Sequence, residues 1–341
     1  MSSTNLSRRS LLKSAGALGL IGALSPMAAF AAESSAKADA SAKRDASAKA
    51  DAPTSVKVKS YDAEGNPTEV EVAYDPQRIV TLDMASLDIL DSLGVAAGRV
   101  VGSSSTRLDY LADLVGAEGV VNCGTIKEAD MDAVMGCEPD VIFIGGRLSK
   151  VSADLAEIAP TVLVKTDTEK GVVQSVRDNA AMFASLFGKE DEVDELMADF
   201  DGRIEKLAEF AKGKTAMLGM VTSGSFNVMG NDGRCSMITR EIGFENVAGE
   251  EVTSTHGNES SFETIVQLDP EYIFVLDRDA AIGTEGAQLA KDVMDNEMVK
   301  QTRAYQEDKI VYLASPAVWY TAEGGVHALD MMLADLEGAL L

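Results

Sequence analysis

Three cysteines, two histidines and one tryptophan among 341 residues narrow the chemistry open to this chain. Three is too few, and odd, for a disulfide scaffold. His256 and His327 alone exclude a multi-histidine metal cage. Basic residues are scarce, 30 Lys and Arg against 55 Asp and Glu, for a net charge of −25. A chain this acidic lacks the basic face that nucleic acid requires, so no nucleic-acid partner is expected. The apolar run 15–24 falls short of the ~20 residues of a spanning helix. G-x-S-x-G, a P-loop, a Rossmann glycine fingerprint and C-x-x-C are all missing, which removes the commoner enzyme signatures. What is present is 46% hydrophobic and 25% charged, the composition of a folded chain. Its length exceeds the usual single-core size, so two lobes are expected.

Charge is unevenly placed. Residues 1–32 carry Arg8, Arg9 and Lys13 and no acid, ahead of the apolar run and Ala29-Phe30-Ala31. This reads as a signal peptide, and the arginine pair resembles a twin-arginine export signal, an ordinary secretory signal being the alternative. The expected location is extracytoplasmic, periplasmic or at the cell surface. No cysteine follows the run, so no lipoprotein anchor is written there. Residues 33–54 hold three copies of a Ser-Ala-Lys-x-Asp-Ala hexapeptide closed by Pro53, with nothing larger than Ala to bury; this reads as a linker. Residues 55–341 then hold 23 bases against 51 acids.

The folded part opens with a hairpin signal, strands 56–60 and 68–73 around Gly65-Asn66-Pro67. Short apolar runs then alternate with helical patterns, which predicts an α/β lobe with a mainly parallel sheet over 55–170. Val193, Leu196, Met197, Phe200, Ile204, Leu207 and Phe210 fall on one helical stripe within 190–212. That helix is either a strut between lobes or an ordinary surface helix; the strut makes 171–212 a helical region and 213–341 a second α/β lobe. An internal repeat favours the two-lobe reading. Asp132 to Phe143 lies over Glu263 to Phe274 without a gap, matching the leading acid, the Glu-Pro-Asp and Asp-Pro-Glu triplets and the Ile-Phe pair. Each copy reads helix, turn, buried strand, with the residue before proline biased to an extended backbone.

An exported chain with two α/β lobes, one long bridging helix and paired helix-Pro-strand units resembles the class III (helical-backbone) substrate-binding proteins of ABC importers. The resemblance spans 55–341. Arg78-Ile-Val-Thr-Leu-Asp83, Gly146-Arg147, the run from His256 to Glu263, Asp277-Arg278 and Trp319-Tyr320 narrow it to the ferric-catecholate siderophore subgroup, of the enterobactin type. It implies a monomeric, non-enzymatic protein that carries iron(III) as a siderophore complex, holds no cofactor of its own, and delivers its ligand to an ABC permease. Haem or cobalamin binding by the same fold is the alternative.

The resemblance also implies a site. Ferric catecholates are anionic, and Arg offers permanent charge with planar paired donors. Arg147, Arg234 and Arg278 are expected to line the pocket, with Arg107 extending it and Trp319 beside it. Without the resemblance each arginine reads first as half of a surface salt bridge. His256 and Tyr320 are the implied iron ligands, completing the sphere of a tetradentate complex; the plainer readings are a surface histidine and a packing aromatic. Asp132 and Glu263 are the implied permease-docking acids, and also stand where a helix start favours a carboxylate. Cys123 and Cys137 are either a disulfide or buried thiols. A hydrolase built on Ser223-Gly224-Ser225 and a surface adhesion protein remain as readings from other classes.

Overall fold

A computed structural model describes residues 53–167, 170–248, 258–259 and 262–341. The signal, most of the repeat linker and His256 lie outside the described residues. Among those described, no helix is long and apolar enough to cross a membrane.

The chain enters through an antiparallel hairpin, β1 (Ser55–Tyr61) against β2 (Pro67–Ala73), with Val58 opposite Val70. The first lobe is a five-stranded sheet. Its strands are β3 (Ile79–Thr81), β4 (Val100–Ser103), β5 (Val121–Asn122), β6 (Val141–Gly145) and β7 (Thr161–Val164), in the order β5-β4-β3-β6-β7, all parallel. The central strands are apolar without alternation, since helices cover both faces. The second lobe repeats this plan with one change. Its main strands are β8 (Thr215–Thr222), β9 (Ser225–Met229), β10 (Tyr272–Asp277) and β11 (Ile310–Tyr312), and the short strand Glu245–Asn246 also pairs parallel with β8. β8, β10 and β11 run parallel, while β9 turns back antiparallel on β8 and Asn258–Glu259 extends that edge.

Both copies of the internal repeat form helix, turn, central strand. α2 (Met131–Gly136) leads into β6, and α5 (Phe262–Leu268) leads into β10. The pre-proline residues depart from the expected extended form. Glu138 and Asp269 both have positive φ, +46° and +38°. Each follows a helix end, where a left-handed residue closes the last turn: Glu138 N–H donates to the Met135 carbonyl, Asp269 N–H to that of Ile265. Helix closure therefore outweighs the proline bias at both places.

The lobes are tied by helices. After α1 (Met84–Ser92) and the first sheet come α3 (Val172–Phe187) and α4 (Glu190–Ala211). Gly188, left-handed at φ +65°, turns the chain against the Tyr74 hydroxyl, where a Cβ would come within 2.5 Å. From that first-lobe end α4 rises about 33 Å. At its far end Phe210 packs edge-on to Tyr272 of the second sheet, 6.0 Å between ring centroids. The predicted stripe faces inward: Val193, Met197, Phe200 and Leu207 are buried, and Leu196, Ile204 and Phe210 half-buried. Arg203, midway along, bonds Asp330 (2.5 Å) and Glu337 (2.8 and 3.0 Å) on the last helix, α8 (Val326–Leu340). α4 is the strut.

Two helix starts are capped by carboxylates from segments distant in sequence. α8 begins at Gly325 with no cap of its own. Asp88 of α1, wholly buried, accepts from His327 N–H at 2.8 Å and Ala328 N–H at 2.9 Å. The Tyr110 hydroxyl donates to the same carboxylate at 2.6 Å. Only glycine fits at 325, since a Cβ would lie 2.3 Å from Asp88 Cγ. In the other direction Glu241, of the second lobe, accepts from Val173 N–H at the start of α3 (3.1 Å), and Gly171 makes the room. A continuous apolar core runs from Leu87 and Phe183 through Met197 to Leu329 and Phe274, so both lobes share it.

Asp88→Ala leaves two buried N–H groups and the Tyr110 hydroxyl without partners. It is expected to cost about 2–4 kcal/mol. Gly325→Ala should cost a similar amount and Tyr110→Phe about 1 kcal/mol. Urea denaturation checks this: a midpoint for Asp88→Ala equal to that of the wild type would show that the Asp88 cap carries no load.

Candidate functional site

Arg147 and Arg278 enter at matching points. Each stands just beyond the carboxyl end of a central strand, Arg147 in the first turn of the 3-10 helix Gly146–Val151 after β6, Arg278 opening α6 (Arg278–Ile282) after β10. Ligands of open α/β sheets gather at these strand ends. The repeat offset that lays Asp132 on Glu263 also lays Arg147 on Arg278. Arg234 comes from the loop after β9, and Tyr320 from α7 (Pro316–Thr321).

Tyr320 is the centre. The guanidinium of Arg234 lies 4.4 Å from its ring centroid, and those of Arg147 and Arg278 each lie 5.8 Å away. Arg278 Nε donates to the phenol oxygen at 3.4 Å, and Arg234 Nη1 donates to the Tyr320 carbonyl at 2.6 Å. Two cavities of about 610 and 640 Å³ meet here, and Arg147 and Tyr320 line both. Volumes of that size suit a small-molecule ligand.

The charges alter one another. Burial alone would raise the Tyr320 phenol, but the Arg278 hydrogen bond and the charges of Arg234, Arg278 and Arg147 outweigh it and lower the pKa. Burial, then the neighbouring Arg234, lowers Arg147. Arg278 is raised, chiefly by its bond to Tyr320, and its Nη1 also pairs with buried Asp279 at 3.2 Å. Three like charges around one acidified phenol form an arrangement that an anion stabilises. Arg234 Nε and the Thr222 hydroxyl are buried with no hydrogen-bond partner among the described residues, and both residues line the cavities.

Second-rank residues hold this cluster in place. Asp83 caps α1 through Ser86 (2.9 and 2.8 Å) and stands against Gly145, where a Cβ would come within 2.5 Å of its carboxylate. Glu323 accepts from Cys235 N–H at 3.1 Å and so fixes the loop that presents Arg234. Burial pushes the Glu323 carboxyl up to about 7, against the opposing pull of Arg234.

The structure brings Arg147, Arg234, Arg278 and Tyr320 together. It does not bring Arg107 or Trp319 to them. Arg107 lines a separate cavity of about 260 Å³ with Ser315 to Val318 and lies against Gly283, at the end of α6. Trp319 is wholly buried and donates to Asp335 at 2.9 Å. Asp132 and Glu263 are exposed in the first turns of α2 and α5. His327 meets Asp91 at 3.4 Å, away from the cluster. Lys127, in the turn of the small hairpin between β5 and α2, lines the cavity of Arg278; no motif or spacing in the sequence marked it. Among the described residues no three His, Cys, Asp or Glu side chains gather as a metal site.

Residues 79–317 match the periplasmic binding protein family. The chain belongs to that family. Petrobactin-binding protein YclQ of Bacillus subtilis is 30% identical over 79% of this chain and 84% of its own length. Among solved structures, the periplasmic catecholate-siderophore binding protein VctP of Vibrio cholerae superposes with a TM-score of 0.75 at 28% identity, covering 83% of this chain and all of that one. The iron-uptake ABC transporter substrate-binding protein PiuA of Streptococcus pneumoniae gives 0.76 at 32% identity, covering 85% and 100%. The periplasmic binding protein fold thus accounts for two lobes meeting at a cleft.

The Glu323 carboxyl sets a pH test. Its pKa in the fold, about 7, exceeds the ordinary 4.5, so between those values the native chain holds a proton that the unfolded chain has lost. Stability contributed by this group is complete below about pH 4.5 and declines as pH rises to 7. Glu323→Gln should flatten that part of the profile. Urea midpoints across the window decide it, and equal slopes for variant and wild type would contradict the assignment.

Proposed function

We propose that this periplasmic binding protein captures an anionic ferric siderophore of the catecholate class and delivers it to an ABC importer. The observation that carries the reading is the convergence of Arg147, Arg234 and Arg278 on Tyr320. Catecholate oxygens accept from planar, permanently charged donors, and charge-assisted bonds are about twice as strong as neutral ones. Lys127 adds a fourth cation to the same wall. The relatives whose names state a ligand bind siderophores, petrobactin and catecholates among them, which supports the same ligand class.

Within that reading Tyr320, its proton already weakened by the arginines, supplies a phenolate oxygen to iron(III), and His256 supplies the second protein ligand for a complex that leaves two positions open. The chain then works as a monomer, exported by its N-terminal signal, with 55–170 and 213–341 as lobes around the helical 171–212. Asp132 and Glu263, one exposed acid at the start of each repeat helix, dock on basic residues of the permease.

Titration of the lone Trp319, one residue from Tyr320, with ferric petrobactin and a ferric bis-catecholate should quench its fluorescence at micromolar ligand or below. Arg147→Ala and Arg278→Ala should each weaken binding roughly 10- to 100-fold, the weight of one charged hydrogen bond. Tyr320→Phe should shift the charge-transfer band of the bound complex. No quenching by any ferric catecholate would refute the ligand class, while haemin binding with a Soret band would assign the cleft to haem.

A further inference from the structure

Cys123 and Cys137 bring their sulfurs to 3.7 Å inside the first lobe, both wholly or nearly wholly buried. Cys123 follows the edge strand β5, and Cys137 closes α2. The backbone fixes both. Cys123 N–H donates to the Ser103 carbonyl at 2.9 Å, and its own carbonyl accepts from Asp130 N–H at 2.9 Å. Cys137 N–H donates into the end of α2, and Arg78 holds its carbonyl. Beneath the sulfurs lies Gly102, in the middle of β4. Its φ is not in the left-handed region, so the backbone does not ask for glycine there. The sulfurs do: a Cβ at 102 would stand 2.7 Å from Cys123 Sγ, 2.9 Å from Cys137 Sγ and 3.1 Å from Val80 Cγ2. A strand position ordinarily given to a β-branched residue is thus cleared for a pair of sulfurs.

We propose that Cys123 and Cys137 form a structural disulfide when the protein meets an oxidising thiol–disulfide exchanger, locking the loop that carries Lys127 to the cleft. A disulfide needs a sulfur separation of about 2.0 Å, so each sulfur moves by about 0.8 Å, within side-chain rotation. One cysteine thiolate attacks a sulfur of the donor disulfide and expels a donor thiolate, which takes up a proton. The second cysteine thiolate then attacks the mixed disulfide and expels the other donor thiol. The protein loses two electrons and two protons, and the donor disulfide becomes two thiols. Burial and the adjoining Cys137 push the Cys123 thiol up to about 12, so the closed fold keeps it protonated and exchange proceeds while the chain folds or the edge strand opens.

The bond closes a loop of 14 residues in sequence, the separation of the two cysteines. Inside it lie the small hairpin with Lys127 at its turn, and α2 with Asp132. Cross-linking its base limits how far both can stray in the unfolded and partly opened chain. Cys235, buried in the second lobe beside Arg234, stays a thiol and serves as an internal standard.

The test refolds the full chain in a glutathione redox buffer, blocks free thiols with N-ethylmaleimide in denaturant, and counts adducts by mass spectrometry. One adduct, on Cys235, is expected, with the Cys123 and Cys137 peptides joined; prior reduction should give three. Reduction should also lower the Tm of the wild type by about 5 °C. The double variant Cys123→Ser/Cys137→Ser should show no such response. Three adducts from the unreduced, glutathione-refolded chain would overturn the proposal, as would a Tm unmoved by reductant in a chain shown to be cross-linked. This readout needs no siderophore, so it stands or fails apart from the ligand assignment.

Discussion

Asp88 reaches from α1 to cap the first turn of α8 at the far end of the chain, and the packing of distant segments depends on that contact. A helix start leaves N–H groups that need acceptors, and in this interior water does not supply them. Because the acceptor comes from α1, α8 can form fully only when it is docked on that helix. Glu241 makes the same demand in the opposite direction on α3. Each contact completes a helix with a carboxylate from a distant segment, and Gly325 and Gly171 mark the two points where a side chain would prevent it. With α4 and one continuous core across the junction, the cleft has walls whose spacing is fixed by hydrogen bonding.

That fixed spacing is what makes a cationic cluster tolerable. Three arginines around one phenol repel one another, and a flexible cleft would let them swing into water. Arg278 is tethered to Asp279 and Arg234 to the Tyr320 carbonyl, while the half-buried Asp83 carboxylate offsets the charge of Arg147. The acid excess elsewhere leaves the cluster as a local exception. A preorganised group of donors does not have to reorganise when an anion arrives, which favours affinity.

Arg147 and Arg278 were legible through the resemblance, which two physical patterns support. They follow buried strands, where cleft loops begin, and they occupy the same register of an internal repeat. Tyr320 was legible only through resemblance; in the bare sequence it is one aromatic beside another. Trp319 shows why the neighbour was misjudged. Successive residues on a helix point about 100° apart, so when Tyr320 faces the cleft Trp319 faces Asp335 and the core. Lys127 carried no local signal at all, being an exposed-looking lysine in a short turn that the fold happens to deliver to the cavity of Arg278. Arg107 is the converse, a loop cation that packing placed against Gly283.

The sequence by itself determined the α/β class, the long amphipathic helix and the paired helix-Pro-strand units, because apolar period and proline act over a few residues and need no partner. It also determined that any anion must be held by a few bases within an acidic body. The tertiary structure decided which bases those are. It alone set Glu138 and Asp269 left-handed, where closure of a helix end outweighed the preference of a following proline. It alone joined Asp88 to α8 and Cys123 to Cys137, since contacts between distant segments depend on how lobes and loops dock, and no local periodicity encodes docking.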